Sequence, residues 1–117
     1  ADVNLQNNVS EEFYNYTALM YAAKEGRDKT VSMLLDNGAD PNIQSGHGLT
    51  ALSFAGTSRS IAANSSIVDS LLAHGADVNI KDNNGCTALM YAILNTYYNM
   101  ITTLLNNGAD TNDMTTI

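Results

Sequence analysis

Residues 71–92 read LLAHGADVNIKDNNGCTALMYA, and pieces of this stretch return along the whole chain. The triplet GAD begins at Gly38, Gly75 and Gly108, and the triplet TAL begins at Thr17, Thr50 and Thr87. TAL steps by 33 and then 37 residues, and GAD by 37 and then 33. Both series follow if a unit of 33 residues recurs and the middle copy carries four extra residues between its TAL and its GAD. A fixed period of this length marks small supersecondary units that bury their apolar faces only by stacking on one another.

Each unit reads as two short helices. In the first helix Leu19, Ala22 and Ala23 share one face, and Leu52, Ala55, Gly56 and Leu89, Ala92, Ile93 repeat the pattern. The small residues among them let neighbouring helices approach closely. Thr17, Thr50 and Thr87 stand where an N-cap hydroxyl accepts from an orphan backbone N–H. The second helix keeps one phase in Val31, Leu34, Leu35, in Val68, Leu71, Leu72 and in Ile101, Leu104, Leu105. Gly38, Gly75 and Gly108 then supply the left-handed residue that ends a helix. A polar connection rich in Asn, Asp and Gly leads to the next threonine and suits a hairpin-like excursion. Helices of about two turns do not persist alone, so stability must come from stacking.

TALMYAAKEG, SMLLDNGADPN and the 33-residue period together resemble the ankyrin repeat, over nearly the whole chain. The resemblance implies an all-α solenoid in which stacked helix–turn–helix units form a curved superhelix with short hairpin fingers and the first helices on the concave side. The expected division is a preceding unit's tail with a long connecting finger at 1–16, then repeats at 17–49, 50–86 and 87–117. Three departures stand out. The family's proline is Ala18, Ala51 and Ala88, and its histidine is Met20, Ser53 and Met90, so the histidine's hydrogen-bond network is expected to be absent. Thr96 replaces Gly26 between the helices, which points to Asn95 as the left-handed residue there. The insertion in Thr57–Ser66 lengthens either that turn or one helix. ADVN at 1–4 and GADTNDMTTI at the other end read as a segment of a longer array.

Composition limits the function. Twelve acidic against five basic residues give a net charge of −7, which argues against a nucleic-acid binder that follows phosphates with clustered Lys and Arg. No apolar run is long enough for a membrane-inserted helix. The single cysteine, Cys86, excludes an internal disulfide. No nucleophile motif, phosphate loop or metal-ligand spacing occurs, so no enzyme, cofactor or metal is expected. The recurring Asp40, Asp77 and Asp110 read as loop residues that bond nearby backbone. His74 precedes a helix-ending glycine, where a helix C-terminus favours it.

The resemblance implies recognition of another protein through the concave surface; the alternative is a structural, spacing role or self-association through uncapped repeat ends. The resemblance implies contact positions at the hairpin tips and at the start of each inter-helix turn. In this chain these are Phe13, Tyr14, Tyr16, Lys24 and Glu25 around the first unit. Gly46, His47, Leu49, Thr57 and Ser58 follow in the second, and Asn83, Asn84, Cys86, Leu94 and Asn95 in the third. Aromatic residues of this kind supply rigid contact area. Tyr21, Phe54 and Tyr91 recur at one place in each first helix, and that recurrence reads as structural. Tyr97 and Tyr98 in the last turn read as packing or partly exposed residues.

Overall fold

A computed structural model describes residues 3–6 and 15–112. Among these described residues six helices run in three pairs: α1 (Ala18–Lys24) with α2 (Asp28–Asp36), α3 (Ala51–Thr57) with α4 (Ile61–Ala73), and α5 (Ala88–Leu94) with α6 (Tyr98–Asn106). The first helices pack as one layer, α1 on α3 and α3 on α5, and the second helices as another, α2 on α4 and α4 on α6. This is the all-α solenoid that the resemblance implies.

The helix starts follow from the TAL threonines, with one difference. Thr17 Oγ1 accepts from the Met20 N–H at 3.2 Å, and Thr50 Oγ1 from the Ser53 N–H at 3.3 Å. Thr87 has the same extended backbone but makes no side-chain capping bond. The residues standing at the family's histidine still contribute. Met20 Sδ accepts from the Thr17 N–H at 3.3 Å, and the Thr50 and Ser53 hydroxyls meet at 3.2 Å. The network is replaced there rather than lost.

The second helices end alike. Gly38, Gly75 and Gly108 have φ near +90° (+93, +88 and +87). The alanine after each donates to the carbonyl five residues back, as Ala39 N–H does to Leu34 O at 3.0 Å, and the glycine to the carbonyl three back, as Gly38 N–H does to Leu35 O at 3.1 Å. This pair of bonds satisfies carbonyls that a helix end otherwise leaves open.

The four extra residues extend a helix, not a turn. α4 has 13 residues where α2 and α6 have 9, so Ile61–Asn64 add about one turn at its start. Asn64 in this added turn is buried and donates through Nδ2 to Ala55 O at 2.8 Å, tying α4 to α3. The turns themselves differ. Gly26 makes the first with φ +71°, and in the last Thr96 itself takes φ +54° while Asn95 stays at −96°. The left-handed residue is therefore the β-branched threonine, not its neighbour. Ser58 makes the middle turn in extended backbone.

The core runs along the layer junctions. Leu19, Leu52, Leu89, Val31, Val68, Leu71 and Leu104 are buried. Burial also reports which joint a residue serves. Ala23 and Gly56 are buried against the next first helix, whereas Ile93 at the same position is 39% exposed on the outer face of α5. Leu105 is likewise exposed where Leu35 is buried.

A ladder of amide side chains joins successive loops. Asn4 Oδ1 accepts from Asp40 N–H, Asn42 Oδ1 from Asp77 N–H and Asn79 Oδ1 from Asp110 N–H, each at 2.8 Å. Asn42 and Asn79 also donate through Nδ2 to Gly75 O and Gly108 O. Within each loop Asp40, Asp77 and Asp110 accept from the backbone N–H two residues on, as their sequence pattern indicates. His74 at the end of α4 adds a contact to Asp36 of α2, Nε2 to Oδ1 at 3.3 Å. Among the described residues no helix is long and apolar enough to cross a membrane.

Candidate functional site

Among the described residues two fingers project from the helix pairs, and the backbone fixes their shape. In the first, Ser45 N–H donates to Leu49 O at 2.8 Å and Gly48 N–H to Ser45 O at 2.9 Å. In the second, Asp82 N–H donates to Cys86 O at 2.9 Å and Gly85 N–H to Asp82 O at 3.0 Å. The side chain at the base of each finger reinforces it. Ser45 Oγ accepts from Leu49 N–H, and Asp82 Oδ1 accepts from both Asn84 and Cys86 N–H at 2.9 Å.

The buried Asp82 also receives the Tyr91 hydroxyl on Oδ2, which links the second finger to α5. Burial, then the bond to Asp82, pushes the Tyr91 pKa well above the ordinary tyrosine range. This phenol braces the second finger against α5 and holds its proton.

Adjacent fingers are locked together. Asn83 N–H donates to His47 O at 3.0 Å, and Asn83 Nδ2 to Gly46 O at 3.1 Å. Gln44 Nε2 reaches both Gly48 O and Lys81 O, at 2.9 and 3.0 Å. The tips therefore form one surface with a set spacing. His47, Asn83 and Asn84 are exposed on it, and Leu49 and Cys86 are half-buried at its base.

Tyr16 sits half-buried beside this surface, its ring centroid 4.7 Å from Phe54 and 6.4 Å from Tyr21. At the far ends of the first helices Lys24 and Thr57 are half-buried, and Glu25 and Leu94 are exposed. Asn95 is exposed, but its Nδ2 donates to Gly56 O at 2.8 Å and serves the α3–α5 joint. Ser58 leaves the surface altogether. It is 3% exposed, its carbonyl accepts the Tyr97 hydroxyl, and its Oγ accepts from Ser60 N–H. Its equivalence to Glu25 fails because the middle turn runs extended. Phe13 and Tyr14 lie outside the described residues.

Tyr21 is the residue that sequence reasoning set aside. Its counterparts Phe54 and Tyr91 are covered by the packing and bonds above, yet Tyr21 is 41% exposed. With Leu5, Tyr16, Glu25, Arg27 and Thr30 it lines an open groove of about 630 Å³ on the outer side of α1. Its place in the first pair, with no helix layer before it among the described residues, was the available signal. A smaller groove of about 340 Å³ lies between the added turn of α4 and the start of α6, with Ile61 and Tyr98 exposed at its rim. Among the described residues no three His, Cys, Asp or Glu side chains are grouped to hold a metal ion.

A family model for ankyrin repeats (3 copies) matches residues 38–115, and one for ankyrin repeats (many copies) matches residues 4–55. No curated protein matches the chain.

Proposed function

The chain belongs to the ankyrin-repeat family, and on that premise we propose that it is a non-catalytic module that binds another protein across its finger tips and first-helix layer. Ankyrin repeats generally serve as protein-interaction modules. The observation that carries the reading is the locked pair of tips, with exposed His47, Asn83 and Asn84 at a spacing fixed by Asn83 and Gln44. A preorganised surface of this kind loses little conformational freedom on binding. Tyr16 and Tyr21 add aromatic area beside it, Leu49 and Cys86 form its base, and Lys24, Glu25, Thr57 and Leu94 extend it along the helix ends. The net charge of −7 favours a partner with basic surface. The repeat division at 17–49, 50–86 and 87–117 belongs to the same proposal.

The test is capture of a partner by the immobilised chain, followed by binding measurements with His47→Ala, Asn84→Ala and Tyr21→Ala. Hot-spot truncations cost about 2 kcal/mol or more, so at least one variant should weaken binding on the order of tenfold or more with its circular dichroism unchanged. Unchanged affinity in all three would overturn the finger-tip reading.

A structural, self-associating role is the second reading, favoured by exposed Ile93, Leu94 and Leu105 on the outer side of the third pair. Sedimentation over a wide concentration range discriminates. Assembly without a partner that Ile93→Asp abolishes would give this reading the lead.

A further inference from the structure

Three Asn–Gly pairs occur, at 37–38, 84–85 and 107–108. The fold treats them differently. We propose that Asn84 is a site of spontaneous modification, losing its side-chain amide to become aspartate or isoaspartate, while Asn37 and Asn107 are protected.

The chemistry needs only water. The Gly85 backbone nitrogen, deprotonated by solvent hydroxide, attacks Cγ of Asn84 and forms a C–N bond. The tetrahedral oxyanion collapses and expels Nδ2, which leaves protonated as ammonia. Water then opens the five-membered imide at either carbonyl. The sum is one water consumed and one ammonia released, with no change of oxidation state. A following glycine favours the attack because no side chain shields its nitrogen.

In all three pairs the glycine N–H is hydrogen-bonded, to Leu35 O, Asp82 O and Leu105 O respectively. The nitrogen therefore does not separate them, and the asparagine side chain does. Asn37 Nδ2 donates to Met33 O at 2.7 Å, and Asn107 Nδ2 to Thr103 O at 2.8 Å. Each of these amides is tied back to a carbonyl of its own helix, a bond that must break before the side chain can turn to the following nitrogen. Their glycines also close helix ends, so attack there requires breaking a helix terminus. Asn84 is exposed at a finger tip, and among the described residues its side chain has no hydrogen-bond partner. Only the turn bond from Gly85 N–H to Asp82 O must open. The product adds a negative charge two residues from Asp82, and the isoaspartyl form also lengthens the backbone by one methylene. Either changes the surface proposed for partner contact, but the modification does not depend on that proposal.

The experiment is incubation of the folded chain at mildly alkaline pH, with peptide mapping by fragmentation mass spectrometry and isoaspartyl methyltransferase labelling. The same time course is run in concentrated urea. In the folded chain Asn84 should convert on the order of tenfold faster than Asn37 or Asn107, and in urea the three rates should converge. Asn84→Gln should abolish the leading product, since its longer side chain disfavours the five-membered ring. Equal conversion of all three in the folded chain would overturn the inference. So would the same selectivity persisting in urea, because local sequence and not the fold would then be its cause.

Discussion

Replacing Thr96 by glycine should make this protein more stable, although it removes a side chain and adds backbone freedom. Thr96 holds φ +54° in the turn between α5 and α6, where the first pair has Gly26 at φ +71°. An L-residue in the left-handed region costs about 1–2 kcal/mol, and branching at Cβ places threonine at the upper end. Glycine returns roughly 0.5–1 kcal/mol of that through its larger entropy in the unfolded chain. The Thr96 hydroxyl bonds to Asn95 O at 2.7 Å but is exposed, so its loss costs roughly 0.5 kcal/mol at most. The net gain is about 0.5–1 kcal/mol. For a chain of this length, at about 2.1 cal/mol/K of unfolding entropy per residue, that raises Tm by about 2–4 °C. Urea titration and calorimetry measure it, with Thr96→Ala as the control that keeps the backbone cost and loses the hydroxyl. Thr96→Ala should not stabilise. Equal stabilisation by alanine and glycine, or a loss with glycine, would refute the argument from backbone conformation.

The reverse change at the equivalent position should fail: Gly26→Ala imposes the same conformational cost and sets a Cβ 2.2 Å from Ser60 Cβ, so Tm should drop by several degrees. Gly56→Ala should destabilise by about 1–3 kcal/mol in urea titration, because its Cβ would stand 2.9 Å from Tyr91 Cβ with backbone close behind. Asn42→Ala should cost about 1–2 kcal/mol by the same assay, since it removes the bonds to Asp77 N–H and Gly75 O. For Tyr91 the folded state holds its proton more tightly than the unfolded chain does. Its contribution is therefore full below the ordinary tyrosine pKa of about 10 and is lost as pH rises beyond it. A spectrophotometric titration should show one phenol lagging the others, and Tyr91→Phe should remove the laggard while destabilising the second finger.

Repetition made the fold legible. Three aligned copies let Leu19, Leu52 and Leu89 be placed in the core, and the glycine stops be located, without a single long helix to read. The same repetition misled at positions where copies meet different neighbours. Tyr21 shares its register with Phe54 but has no helix layer on its outer side among the described residues. Ser58 shares its register with Glu25 but lies in a turn of different backbone. Ile93 shares its register with Ala23 and Gly56, which lie against a following first helix. Burial at a joint depends on what is stacked there, and a periodic pattern is silent on that. The insertion was visible as four residues, but its form depended on one buried amide, Asn64, reaching Ala55 O.

The asparagine ladder divides each joint between two copies: one supplies the amide, and the next supplies the backbone N–H and carbonyl that meet it. The two halves sit side by side in one loop: in the first unit Asp40 N–H meets the copy before and Asn42 meets the copy after, and Asp77 and Asn79 do the same in the second. A gene duplication that adds one period brings both halves with it and opens no unmatched seam, provided the small residues at the first-helix contact come along. Backbone groups are common to all sequences, so side chains elsewhere in each copy are free to diverge. Lengthening such an array by recombination is therefore a neutral step for its joints, and the surface of each added finger is left open to selection.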